Sequence, residues 1–202
     1  MNFPSNLRFV RSGRGERWRD ANLGRQEIHF GWSRTPHTLL QTKDREKLRE
    51  NLAKEHAAKK YKNESARKTA VSNSLRELFD ALEPERFTWL TIAHDKLWWC
   101  TAKPGIELGN ESDSAGHFFA RCDRLWSGCS LTGNVLELRK LPKSVSVMSR
   151  YQGTLCEPRQ GASIWRAIRG ETDPAVLQFY EVREAYRTAL RTMVERLCFG
   201  ME

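Results

Sequence analysis

The run Leu7-Arg8-Phe9-Val10-Arg11-Ser12-Gly13-Arg14-Gly15, continued by Glu16-Arg17-Trp18-Arg19-Asp20 and later by Ile28-His29-Phe30-Gly31-Trp32, sets the frame for the chain. Phe9 and Val10 read as the centre of a short β-strand. Ser12-Gly13 and Gly15 then permit a tight turn, because glycine reaches backbone angles closed to other residues. Residues 26–32 set Ile28, Phe30 and Trp32 against Glu27, His29 and Gly31, the two-residue alternation of a strand with one apolar and one polar face. Between the two strands, Arg11, Arg14, Arg17, Arg19 and Trp18 fall in a segment expected to be a loop that meets a polyanion.

Charge is distributed unevenly over the 202 residues, whose net charge is +9. Residues 1–34 hold seven Arg against Glu16, Asp20 and Glu27, and residues 43–68 hold ten Lys or Arg against five acidic residues. These two segments supply the whole excess. A focused positive surface favours nucleic acid or another polyanion over a small neutral substrate. Apolar residues at 39% and seven tryptophans suffice for a packed core and exclude wholesale disorder. Five cysteines without a Cys-x-x-Cys pair, and no apolar N-terminal signal run, point to a reducing cytoplasmic setting. No stretch approaches the roughly 18 apolar residues of a membrane span, so no membrane partner is expected.

Outward from Trp32, Ser33-Arg34-Thr35-Pro36-His37 reads as a loop. Residues 43–60 read as one charged helix with Leu48, Leu52 and His56 as a thin apolar edge. Its i,i+4 ion pairs suit a solvated helix, with a helix laid beside a phosphate backbone as the alternative. After Asn63-Glu64-Ser65, the stripe Ala70, Val71, Leu75, Leu78, Phe79, Leu82 predicts a core-packed helix that Glu83-Pro84 ends. Residues 87–92 and 96–101 form a hairpin about Ala93-His94-Asp95. Lys103-Pro104-Gly105 is a turn and 109–116 a polar loop. Strands are expected at 117–125 and 135–139, a short helix from Pro142 to 148, and a last strand over 151–156. Beyond Pro158 come a short helix at 162–168 and, from the start signal Thr172-Asp173-Pro174, a long helix striped by Phe179, Val182, Tyr186, Leu190, Met193 and Leu197. The stripe is expected to close over the core, with pairing to a partner helix as the alternative.

At several of these places the chain resembles a known family. Val10-Arg11-Ser12-Gly13-Arg14-Gly15, and the later apolar strand ending Gly31-Trp32, look like the N-terminal domain of many prokaryotic modification-dependent restriction proteins. That domain belongs to the PUA-like group, which includes the EVE and YTH base readers. The likeness returns at 118–126, an arginine-bearing strand ending in Trp126, and from Leu141-Pro142 to Gly153-Thr154. It departs at Glu83-Pro84-Glu85, where a short Gly-Asp turn is usual. The resemblance implies a PUA-like fold whose base cage lies near the Gly-Trp strand end, pointing to Trp32 first and Trp126 second.

The residues offer no catalytic constellation. There is no His-Glu-x-x-His, nucleophile elbow or phosphate loop. Asp95-Lys96 and Glu137-Leu138-Arg139-Lys140 lack the further carboxylate of a metal-dependent nuclease, and Asp113 or Asp123 would be arbitrary choices. Cys122, Cys129, His94 and His117 lack the close pairing of zinc ligands. Neither metal nor cofactor is expected, and no enzyme activity. Reading a base needs cations for the phosphates and aromatic faces for the base. Arg11, Arg14, Arg17, Arg19 and Arg34 are the phosphate candidates. Trp32, Trp126, Trp99 and Tyr151 are the candidate walls, with Ser33, Thr35 and Gln152 for the base edge. Trp98 and Trp99 face opposite sides of one strand, and which of them meets the core stays open.

The expected architecture is α+β: a PUA-like (EVE-like) β pseudo-barrel over 1–157, with helices inserted at about 43–82 and a helical extension over 158–202. The expected function is recognition of a modified base in duplex DNA by base flipping, as the recognition part of a prokaryotic defence system with a nuclease or NTPase effector subunit. RNA binding by the same fold, and assembly as a homodimer through 174–198, are the alternatives.

Overall fold

A computed structural model describes residues 4–11, 19–32, 34–109, 118–141, 145, 147–148, 155–171 and 174–199. In chain order the elements are β1 (Leu7–Val10), α1 (Arg19–Arg25), β2 (Glu27–Phe30), α2 (His37–Thr42), α3 (Arg45–Ala57), α4 (Glu64–Leu82), β3 (Thr88–Ala93), β4 (Lys96–Ala102), β5 (Glu107–Leu108), β6 (Phe118–Ser127), β7 (Leu155–Cys156), α5 (Gly161–Arg169) and α6 (Pro174–Phe199). The glycine turn after Arg11, the 109–116 loop beyond residue 109, the Pro142 helix start and the segment from Tyr151 to Thr154 lie wholly or mostly outside the described residues.

The hairpin β3–β4 forms the middle of the sheet. His94 and Asp95 connect its strands with φ of +51° and +56°, the paired left-handed geometry that follows the natural twist of a two-residue hairpin. Seven strands make one sheet in the order β2-β6-β4-β3-β1-β7, with β5 also on β6. It curls into a half-barrel. Among the described residues only β1 and β3 run parallel, and the crossover that joins them contains α1, β2 and the three helices α2 to α4. The fold is mixed α+β, with helices set between the strands.

Alternation along the central strands divides the core in two. Val10, Trp89 and Cys100 face a cluster that includes Leu48, Leu52, Leu75, Leu78 and Phe118. Phe9, Leu90 and Trp99 face a second cluster with Leu136, Ile164 and Ile168. α4 therefore packs on one face of the sheet and α5 on the other. Leu131 N–H donates to Ile168 O, and Trp165 Nε1 to Ser5 O, so α5 belongs to the core.

Four expectations are corrected. The arginine-rich loop before β2 contains the helix α1. A further helix precedes the charged helix expected over 43–60, which is α3: α2 begins at His37, inside the expected loop, and is closed by Lys43 with φ +52°. Asp44 then caps α3 by accepting from Glu46 and Lys47 N–H. Residues 135–139 are no strand; they make isolated bridges, Cys129 to Val135 and Lys96 to Glu137, and enter a short 3-10 turn. The stripe of α6 does not close over the core from 182 to 194, where every residue is exposed. Among the described residues, no helix is long and apolar enough to cross a membrane.

Candidate nucleic-acid interface

β2 is the edge of the main sheet path, paired to β6 in the register Glu27 to Arg121, Ile28 to Ala120, His29 to Phe119 and Phe30 to Phe118. Ile28, Phe30, Phe118 and Ala120 fill the first core cluster. The other face of β2 carries the polar residues of the alternation, yet all four residues of the strand are buried. α1 is the reason on one side: Asn22 Oδ1 accepts His29 N–H at 3.0 Å, covering the strand edge. On the other side, Glu27 joins His29 Nε2 at 2.8 Å and Arg121 Nη1 at 2.5 Å. Arg121 reaches on to Glu107 of β5 at 3.0 Å and lies over the Phe119 ring. The result is a polar ladder across three strands, His29–Glu27–Arg121–Glu107. Glu107 and Glu27 raise the pKa of the Arg121 guanidinium, chiefly through the Glu107 hydrogen bond.

At the far end of β2 the chain turns. Trp32 has φ +61°, a left-handed conformation rare for a bulky residue and often a sign of a constrained site. Its carbonyl accepts Thr35 N–H at 2.9 Å. The indole is half-buried and stacks on Phe118, with 6.3 Å between centroids and 28° between planes. Arg34 is exposed on the same turn, and Arg11 is half-buried just past β1. Arg19 opens α1. Arg14, Arg17, Ser33, Tyr151 and Gln152 lie outside the described residues.

Two other candidate walls belong to the interior. Trp99 is fully buried, its Nε1 donates to Cys129 O at 2.8 Å, and Arg124 covers its ring. Trp126 is 5% exposed, with Nε1 on Glu27 O and its backbone N–H on Gln26 Oε1. It is a strut that fixes the start of β2. Neither can be a wall that a base reaches. Trp98, on the opposite face from Trp99, is half-buried against the first cluster.

Positive charge gathers elsewhere too. α3 and α4 flank a groove of about 680 Å³ lined by Arg49, Lys54, Arg67 and Lys68 over a floor of Ala53, Ala57 and Val71. The charge count pointed to this hairpin, but nothing in the spacing showed that the cations line one concavity. The ladder on β2 and β6 was likewise missed, since Glu27 and Arg121 are 94 residues apart. Among the described residues, no group of three or more His, Cys, Asp or Glu could hold a metal ion. Comparisons of the chain with protein-family models, with curated proteins and with solved structures each return no match.

Proposed function

We propose that this is a PUA-like (EVE-like) nucleic-acid reader that recognises a modified base in duplex DNA, within a prokaryotic defence system whose cleavage resides in a nuclease or NTPase effector. Trp32 carries the reading: an indole held on one side by Phe118, at a strand end, in a strained backbone, with exposed Arg34 on the same turn. Arg11, Arg14, Arg17, Arg19 and Arg34 would hold phosphates while a flipped base stacks on Trp32. Flipping costs a few kcal/mol, and stacking contributes about 1–3 kcal/mol per base, so one good aromatic wall plus hydrogen bonds to the base edge offsets it.

The test is a titration of one duplex with and without a single modified cytosine. Trp32→Ala is expected to erase the preference between the two. Arg34→Ala or Arg14→Ala is expected to weaken both alike and to flatten the salt dependence. Equal losses on both duplexes in the Trp32 variant would sink the cage. Tighter binding of structured RNA than of either duplex at the same salt would favour the RNA alternative.

A second reading, assembly through 174–198, is favoured by the exposed Val182, Tyr186, Leu190 and Met193 on α6. Light scattering of the intact chain tests it: a dimer that Leu190→Glu converts to monomer supports assembly, and a monomeric parent chain removes it.

A further inference from the structure

The groove between α3 and α4 has an inner and an outer side with different chemistry. Leu48, Leu52 and His56 of α3 turn inward. Ala53 and Ala57, one helical turn apart, turn toward the groove and leave room where longer side chains would fill it. Two cations from each helix then stand along it, Arg49 and Lys54 from α3, Arg67 and Lys68 from α4. One carboxylate, Glu64, shares the lining, and it is held by Arg67 at 2.8 Å. Arg49 reaches Glu46 at 3.5 Å. Lys54 and Lys68 are exposed and form no ion pair among the described residues.

Four ammonium or guanidinium groups against one carboxylate select an anionic occupant. The apolar floor is only two alanine methyl groups and Val71, too little surface to hold a partner helix by apolar burial, so charge must supply most of the attraction. A phosphodiester strand has that character: a regular row of charges with no need of an apolar seam. We infer that this groove is a backbone track, a contact for the phosphates of the same nucleic acid that Trp32 would read, set on the helical hairpin and separate from the arginines around β1 and β2. The inference rests on the nucleic-acid reading above, and deepens it by giving the hairpin a part in affinity and none in base choice.

The experiment uses the full chain and a Lys54→Gln, Lys68→Gln double variant. Both residues are exposed, so unchanged circular dichroism and melting temperature are expected. Binding to a duplex carrying one 5-methylcytosine, and to its unmodified twin, is measured across a salt series. The double variant is expected to weaken both by the same factor and to lower the salt slope by about 2, near 1 per lost phosphate contact. An unchanged slope in a variant that still binds overturns the track and leaves the reader intact. A parent chain that binds both duplexes equally, with the expected slope loss in the variant, supports the track and removes base reading for that modification. A parent chain that binds neither DNA nor structured RNA overturns both. Poly-L-glutamate binding more tightly than either duplex, with the same loss in the variant, also overturns the track and makes an acidic protein segment the occupant.

Discussion

Two carboxylates hold the Arg121 guanidinium from different environments, and their unequal worth can be measured. Glu27 is 6% exposed and also engages His29, while Glu107 is 51% exposed. Glu27→Ala is expected to cost about 2–3 kcal/mol, below the usual cost of breaking a buried pair because Arg121 keeps Glu107 and some water. Glu107→Ala should cost under about 1 kcal/mol, as exposed pairs do. Urea unfolding distinguishes them, and equal costs would show that the ladder works as a surface pair. His56 gives a pH signature. Its ring nitrogens meet Tyr61 of the loop and Ser74 of α4. Burial, with a smaller push from the Lys59 cation, holds its pKa below the ordinary 6.5. The unfolded chain therefore takes that proton more readily. The stabilisation is complete above 6.5 and is lost as pH falls below it. Asp44 adds a separate limb at lower pH: its pKa lies below 3.8, mainly through the Lys47 N–H it accepts, so its contribution is present above 3.8 and fades as pH falls further. His56→Gln should flatten the melting-temperature profile between about pH 7 and 5 and leave the acid limb below about pH 4 in place.

At the scale of elements, α4 and α6 look alike in sequence and behave differently. Both carry apolar residues three and four apart. Leu75, Leu78 and Leu82 of α4 are buried, whereas Tyr186, Leu190 and Met193 of α6 are 65%, 44% and 58% exposed. Leu75→Ala is expected to cost about 2–5 kcal/mol through lost burial and the cavity it leaves. Leu190→Ala should change stability by no more than about 0.5 kcal/mol. A larger loss at Leu190 in urea melts would show that something covers the stripe in solution. The contrast marks what can be read from sequence here. Periodicity reports that a helix has an apolar side, and it says nothing of what faces that side. The β3–β4 hairpin was legible because two strand-forming runs flank His94-Asp95. α4 was legible from its stripe and from Asn63, whose side chain caps it by accepting Ala66 N–H. The charged helix α3 was legible from its ion-pair spacing, whereas α2 was hidden, because six residues behind Pro36 with no side-chain cap carry too little periodicity to stand out. β2 misled for a different reason. Alternation with polar residues ordinarily means a solvated face, but here α1 and Arg121 cover that face. Of the candidate site, Trp32 was singled out through the resemblance and Arg34 through its charge, and both lie on the turn that follows β2. Trp99 and Trp126 could not be set aside, since tryptophan in a strand pattern does not reveal whether its face is closed.

Over the whole molecule, topology decides where the positive charge is usable. Arg8 points from β1 to Asp80 of α4 at 2.8 Å and lies over Phe87, and Arg121 is tied to Glu27 and Glu107. Part of the cationic excess is thus neutralised inside the fold. The crossover from β1 to β3 carries α3 and α4, whose Arg49, Lys54, Arg67 and Lys68 line the groove, so under the proposal these residues join Arg14 and Arg34 as ones whose removal should move the salt dependence of binding. α6 makes a separable contribution. α5 docks through Ile164 and Ile168 and ends at Gly170, whose φ of +77° and N–H bond to Ala167 O close the helix before α6 begins. Residues 182–194 are all exposed, so no core contact depends on them. A chain shortened to residues 1–181 should therefore keep the far-UV signal of the remaining elements, melt within a few degrees of the full chain, and bind a duplex with the same affinity and salt slope. If residues 174–198 hold two copies together, the shortened chain should be monomeric by light scattering while retaining that binding. A truncated chain that loses duplex affinity at unchanged stability would place part of the nucleic-acid contact on α6. That result would move the functional surface away from Trp32 and the helical hairpin.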